Sequence, residues 1–225
     1  MYTITIFDCN LKQPKYNNSL KQRILYFFGN IYTDLHESFG THKHIKKIYL
    51  TKNNVPEVLK HKTEIIDMKK LWDEKSDDER NKILEIFNMT DVVSQLEGNP
   101  ILLLTQCFNE DRLLPLDEEI KIYKSLIDNQ ETDEIIIKTH PRENKDYEKI
   151  FPNLSIIDTQ FPLEILKCMD IKFKKIITVS STVALHFLGE CEIELYDGKT
   201  SSGVVNSSIL NLKNQINMQK TILDD

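Results

Sequence analysis

A chain of 225 residues is long enough for one large domain or one and a half. A formal net charge of -6 with 28% charged residues leaves no extended basic surface, which argues against nucleic acid as a partner. Cys9, Cys107, Cys168 and Cys191 are widely scattered with neither zinc nor redox spacing, so free thiols in a reducing compartment are expected.

The first residues, Met1-Tyr-Thr-Ile-Thr-Ile-Phe7, are β-branched and aromatic. They lack the basic start and long apolar stretch of an export signal. No apolar run approaches the roughly 20 residues of a membrane span. The expected location is the cytoplasm, with peripheral contact at the inner membrane allowed.

In chain order, residues 3–7 read as a buried strand, 14–18 as a loop, 20–28 as a helix and 45–50 as a second strand. One helical turn at 56–60 and a short extended piece at 64–68 follow. Residues 77–87 form a charged amphipathic helix with Ile83, Leu84 and Phe87 on its buried side. The turn at 96–100 is the best linker, dividing an N-terminal α/β region (1–99) from a regular α/β domain (100–203) and a tail (204–225). Beyond Pro100, strands are expected at 101–105, 134–138, 154–157, 175–179 and 192–195. Helices are expected at 116–127, 144–150, 162–169 and 182–188, with one more around 209–216. Strands alternating with helices imply a Rossmann-like parallel sheet covered on both faces. In such sheets ligands bind outside the carboxyl ends of the strands, so the residues directly after each strand are the ones to weigh.

Three such places stand out. Lys138-Thr-His-Pro-Arg-Glu143 sets three cations, Lys138, His140 and Arg142, in one loop stiffened by Pro141. A phosphate there gains charge-assisted hydrogen bonds, and His140 can donate a proton to a departing phosphate; the alternative is a solvated basic turn. Ser180-Ser181-Thr182 opens a helix, where hydroxyls and backbone N–H groups make an anion site or an ordinary cap. Glu164 follows the next strand and its loop, and either accepts from ribose hydroxyls or favours the helix dipole. Together the three outline a nucleotide across the sheet edge. There is no G-x-G-x-x-G and no Walker lysine motif, so a dinucleotide redox fold and a P-loop are set aside.

In these residues the chain resembles glycosyltransferase family 52, the bacterial lipooligosaccharide sialyltransferases. The landmarks are K-x-H-P-R-[DE] at 138–143, P-x-E-[IL] at 162–165, the serine pair Ser180-Ser181, and the strand with Thr105-Gln106. The resemblance implies a GT-B architecture with the active site between two Rossmann-like domains. It also implies that His140, Ser180 and Ser181 bind the CMP phosphate and Glu164 the ribose. The general base is either Asp8, where related families carry an acidic pair, or Asp111. Family members carry a substantial portion before that acidic motif, so the acceptor domain is expected to be largely missing here.

The expected activity is inverting, metal-independent transfer of sialic acid from CMP-sialic acid to a terminal sugar of lipooligosaccharide or capsular polysaccharide. No D-x-D motif is present, no metal site is expected, and no cofactor beyond the donor substrate is implied. Nucleotide sugar and glycan acceptor are the partners, and a homodimer is allowed. The alternatives are a non-catalytic nucleotide-binding remnant and a member using another donor such as UDP-glucose.

Overall fold

The computed structural model of the chain describes residues 2–5, 45–51, 55–130, 134–158 and 160–224. The chain divides into two compact units, Met1–Leu71 and Trp72–Asp225. Asp8, Cys9, the loop expected at 14–18 and the helix expected at 20–28 lie outside the described residues.

The first unit holds a parallel sheet in the order β1 (Tyr2–Thr5), β2 (Ile45–Leu50), β3 (Thr63–Ile65). Ile48 and Leu50 of β2 bury against Leu59 of a 3-10 helix, Glu57–Lys62, which begins directly after Pro56. Thr63 closes that helix by donating from Oγ1 to Leu59 O at 2.8 Å. Helix α1 (Met68–Asp73) was not legible in the sequence; none of its residues is buried, so it carries no apolar stripe.

In the second unit, α2 (Asp77–Ile86) starts at a capping box. Ser76 accepts from the Glu79 backbone, and Glu79 accepts from the Ser76 N–H at 2.9 Å. Its Leu84 and Phe87 pack on the main core beside Met89, Val92 and Leu96 of α3 (Thr90–Gln95) and its flanks. The turn at 96–100 therefore lies inside this unit. Gly98 at φ +89° and Asn99 at φ +65° are the residues that tolerate its left-handed backbone.

The main sheet has five strands: β4 (Ile101–Leu104), β5 (Ile135–Lys138), β6 (Ser155–Ile157), β7 (Lys175–Thr178) and β8 (Glu192–Leu195). Every adjacent pair is parallel, in the order β6-β5-β4-β7-β8. Side chains alternate between faces. Ile101, Leu103, Ile135, Ile137, Ile177 and Val179 meet α4 (Leu116–Asp128) and α5 (Tyr147–Ile150). Leu102, Leu104, Ile136, Ile157 and Ile176 meet α3, α6 (Glu164–Cys168) and a 3-10 helix, Thr182–Phe187. This mixed α/β arrangement is consistent with a Rossmann-like fold.

Helix α3, like α1, was not expected from the sequence, and three expected elements take a different form. Helix α5 begins at Tyr147 rather than at residue 144, because Asn144 N is bonded to Glu110 at 3.1 Å and Asp146 supplies the cap. The segment after Ser181 winds as a 3-10 helix. The final helix α7 extends over Gly203–Asp224, with Val205, Ile209, Leu212 and Ile216 as its inward stripe among otherwise polar residues.

Register sets the functional edge. Leu104 pairs with both Lys138 and Thr178, so residues 105, 139 and 179 leave the sheet side by side. From β4 the chain steps to β5 and β6, then returns to β7 on the other flank of β4. The strand order thus reverses between β4 and β7, and the crevice at that point is where open α/β sheets bind ligands. Cys107, Cys168 and Cys191 are free thiols. Among the described residues no helix is long and apolar enough to cross a membrane.

Candidate functional site at the strand crossover

A cleft of about 310 Å³ opens at this crevice, at the small end of the range for ligand pockets. The loop after β4 supplies Gln106, Cys107 and Asp111; the loop after β5 supplies His140 and Arg142; the segment after β7 supplies Ser180 and Thr182. Helix α7 lines the remaining side with Ser208, Asn211 and Gln215.

His140 is half-buried, and its ring is held from behind. The Arg142 backbone N–H donates to Nδ1 at 3.2 Å, and Cys107 Sγ lies 3.5 Å from the same atom. A backbone N–H only donates, so Nδ1 is the acceptor and the ring proton sits on Nε2. Burial, reinforced by the Arg142 charge, lowers the His140 pKa from its ordinary value. Burial and the neighbouring Asp111 push the Cys107 thiol upward.

Arg142 makes a bidentate pair with Asp111, with N···O distances of 2.8 and 2.9 Å. The guanidinium holds the Asp111 carboxyl below the usual carboxylate range. Across the cleft, Ser180 N and Oγ lie 2.8 and 3.0 Å from Gln106 Oε1, and Ser181 N donates to Thr178 Oγ1 at 3.1 Å. The backbone N–H groups of Ser180 and Ser181 are therefore already engaged within the protein.

Beneath the His140 loop runs a buried polar network. Glu143 accepts from the His140 N–H at 2.7 Å, from Tyr147 Oη at 2.6 Å, from Lys145 Nζ at 2.9 Å and from the Thr105 hydroxyl. Thr105 Oγ1 accepts from the His140 N–H as well, at 3.1 Å. Lys145 also reaches Glu110 at 2.7 Å and Glu119 at 3.2 Å. Tyr123 accepts from the Gln106 N–H at 2.7 Å. The Glu110, Glu119 and Glu143 oxygens lie within 4.8 Å of one another, as they would around a metal ion. The Lys145 ammonium touches all three and occupies the position a metal ion would take among them.

The cleft thus gathers His140, Arg142, Asp111, Ser180 and Thr182 of the residues singled out from sequence. Lys138, Pro141, Glu164 and Ser181 are not among its lining residues. Lys138 turns to the opposite face of the sheet, donating to Thr139 O at 2.8 Å and lying 5.0 Å from the Phe161 ring; burial brings its pKa down to about 8. The loop's cations are consequently split rather than pooled. Pro141 O accepts from Gln160 at 3.3 Å. Glu164 faces His186 Nε2 at 3.4 Å. Asp8 lies outside the described residues.

Sequence reading missed Gln106 as a site residue, although it follows β4 just as His140 and Ser180 follow their strands. It also missed the roles of Lys145 and Glu143, whose partners Glu110, Glu119 and Thr105 come from other segments and leave no local signature, and the polar positions of α7.

The model of glycosyltransferase family 52 matches residues 9–201. A Haemophilus influenzae protein, itself described only as uncharacterized, is 36% identical over 192 residues, covering 84% of this chain. The matched stretch is 60% of that relative, so the chain spans about three fifths of its length. Because the matched span includes β4 through β8 and the loops that carry His140 and Ser180, the chain belongs to glycosyltransferase family 52.

Proposed function

We propose that the protein is an inverting, metal-independent glycosyltransferase that moves sialic acid from CMP-sialic acid to a terminal sugar of lipooligosaccharide or capsular polysaccharide. The observation that carries this reading is the convergence of His140, Ser180 and Thr182 on one cleft at the strand crossover of a family 52 member. The cleft offers hydrogen-bond donors to a phosphate, and Asp111, the one acid among the described residues that line it, is already paired with Arg142.

In the reaction, an acceptor hydroxyl oxygen bonds to the anomeric carbon of the sugar. The bond from that carbon to the CMP phosphate oxygen breaks, and its electron pair leaves with CMP. A carboxylate takes the hydroxyl proton. His140, neutral with Nε2–H outward, stabilises the departing phosphate by a hydrogen bond. A proton transfer from this neutral ring would leave an imidazolate. A phosphate monoester with a second pKa of about 6 needs its charge stabilised rather than a proton.

The base role falls to Asp8. Asp111 is the weaker candidate, since its pairing with Arg142 lowers its basicity. Glu164 would take the ribose hydroxyls on leaving His186. The assembly this reading expects is of the GT-B kind, acting at the cytoplasmic side of the inner membrane.

Thermal unfolding with CMP and with UMP tests the donor, since a ligand that binds the folded state raises its midpoint. CMP is expected to protect more than UMP. Release of CMP from CMP-sialic acid should then require a galactoside acceptor. Protection by UMP alone would overturn the sialyl reading and favour another nucleotide-sugar donor.

A further inference from the structure

Gln106 leaves β4 at the crossover and faces Ser180, which leaves β7. Its side-chain oxygen is the shared acceptor for the Ser180 backbone N–H at 2.8 Å and for Ser180 Oγ at 3.0 Å. Since a backbone N–H cannot accept, this pair decides which way the carboxamide is turned: Oε1 toward Ser180 and Nε2 away from it. The Gln106 backbone is anchored separately, both N–H and C=O being bonded to the Tyr123 hydroxyl at 2.7 and 3.2 Å. The side chain is therefore held at both ends. None of the described groups accepts from Nε2, although the residue lines the cleft. A carboxamide with one end saturated and two donors left over is a preorganised donor pair awaiting an acceptor.

The surroundings identify that acceptor as an anion. His140, whose ring proton sits on Nε2, and Thr182 line the same cleft, while the Asp111 carboxylate is paired with Arg142. We infer that Gln106 is a direct ligand-binding residue whose Nε2 donates to a phosphate oxygen of the nucleotide, with Ser180 acting on that oxygen chiefly by aiming the carboxamide. This rests on the nucleotide reading above and adds to it a contact that the His and Ser motifs do not contain.

The test compares CMP with cytidine on the full chain, by calorimetric titration and competition, for wild type, Gln106→Glu and Gln106→Met. Glutamate keeps an acceptor for Ser180 but has no donor and carries a like charge. Methionine keeps the length without donor or charge. Both variants are expected to weaken CMP about tenfold or more, the loss of a hydrogen bond to a charged group. Cytidine, lacking the phosphate, should stay within about twofold of wild type by the same reasoning. Unchanged CMP affinity in either variant overturns the contact. An equal loss for CMP and cytidine also overturns it, since that is the signature of a pocket deformed through Ser180. If wild type binds UMP and not CMP, the cytidylate reading fails while UMP against uridine decides Gln106 by the same criteria. If wild type binds no nucleoside monophosphate, both readings fall.

Discussion

The Arg142 backbone N–H donates to His140 Nδ1 at 3.2 Å, and this one bond fixes which face of the imidazole can serve a ligand. Pro141 makes it reachable by bending the chain between the two residues, and Glu143 braces the same turn by accepting the His140 N–H at 2.7 Å. The ring is consequently aimed from three sequence neighbours, while its outer nitrogen is the one available to the cleft.

His140 should titrate below the ordinary histidine value of about 6.5. The Arg142 charge helps lower it and the Glu143 charge opposes that. Arg142→Gln is therefore expected to move the His140 midpoint up, and Glu143→Gln to move it down. Proton NMR titration, with the resonance assigned by its loss in His140→Gln, checks both signs. Movement of the two variants in the same direction would contradict the electrostatic account. In the unfolded chain His140 takes up its proton first, so its contribution to stability is present above about 6.5 and is lost as pH falls from there through the lower folded value.

Lys145 pairs with three acids while only 6% of its side chain is exposed, and the side chains of two of those acids, Glu119 and Glu143, are 1% exposed. Lys145→Met leaves buried carboxylates without their cation, which costs about 3–5 kcal/mol. Urea unfolding at neutral pH should show that loss. The deficit should shrink in acid, because the orphaned carboxylates protonate. A variant as stable as wild type at neutral pH would mean that water replaces the ammonium.

Lys138 predicts an alkaline signature. Its pKa is about 8 in the folded chain against an ordinary 10.5, with burial as the largest cause. Between those values the unfolded chain holds more protons than the folded one, so stability should rise as pH increases through that window. Lys138→Met should remove this rise. Chemical unfolding of both proteins at steps up to about pH 9.5, before free tyrosines ionise at about 10, isolates the difference. Identical slopes would show that water reaches the ammonium.

Asp8→Asn should leave CMP affinity near that of wild type while lowering turnover by about 10²–10⁴-fold, the contribution of a positioned base. Asp111→Asn should instead act on Arg142 by removing its bidentate partner, and should change CMP affinity more than it changes turnover at saturation. Steady-state kinetics beside direct CMP titration separates these patterns. If turnover collapses in Asp111→Asn with CMP affinity intact, the base is Asp111.

The sequence by itself determined the alternation of strands and helices beyond Pro100. Apolar runs such as Ile101-Leu-Leu-Leu104 are buried on both faces, and turn residues bound them, so period and punctuation suffice. It also determined that His140 and Ser180 stand at strand ends, because the residue after a strand is placed by the strand itself. The tertiary structure decided how those residues are used. Lys138 ends β5 and His140 stands two residues later, yet the pleat and the turn send one against Phe161 and place the other at the cleft. Ser180 carries a helix-start signature, but its donors go to Gln106, which lies 74 positions away in sequence and meets it only because β7 inserts beside β4. Lys145, Glu110 and Glu119 come from separate segments whose charges look like solvated surface until packing closes over them. Hydrogen-bond partners across a strand crossover depend on sheet order, which periodicity along one strand does not encode.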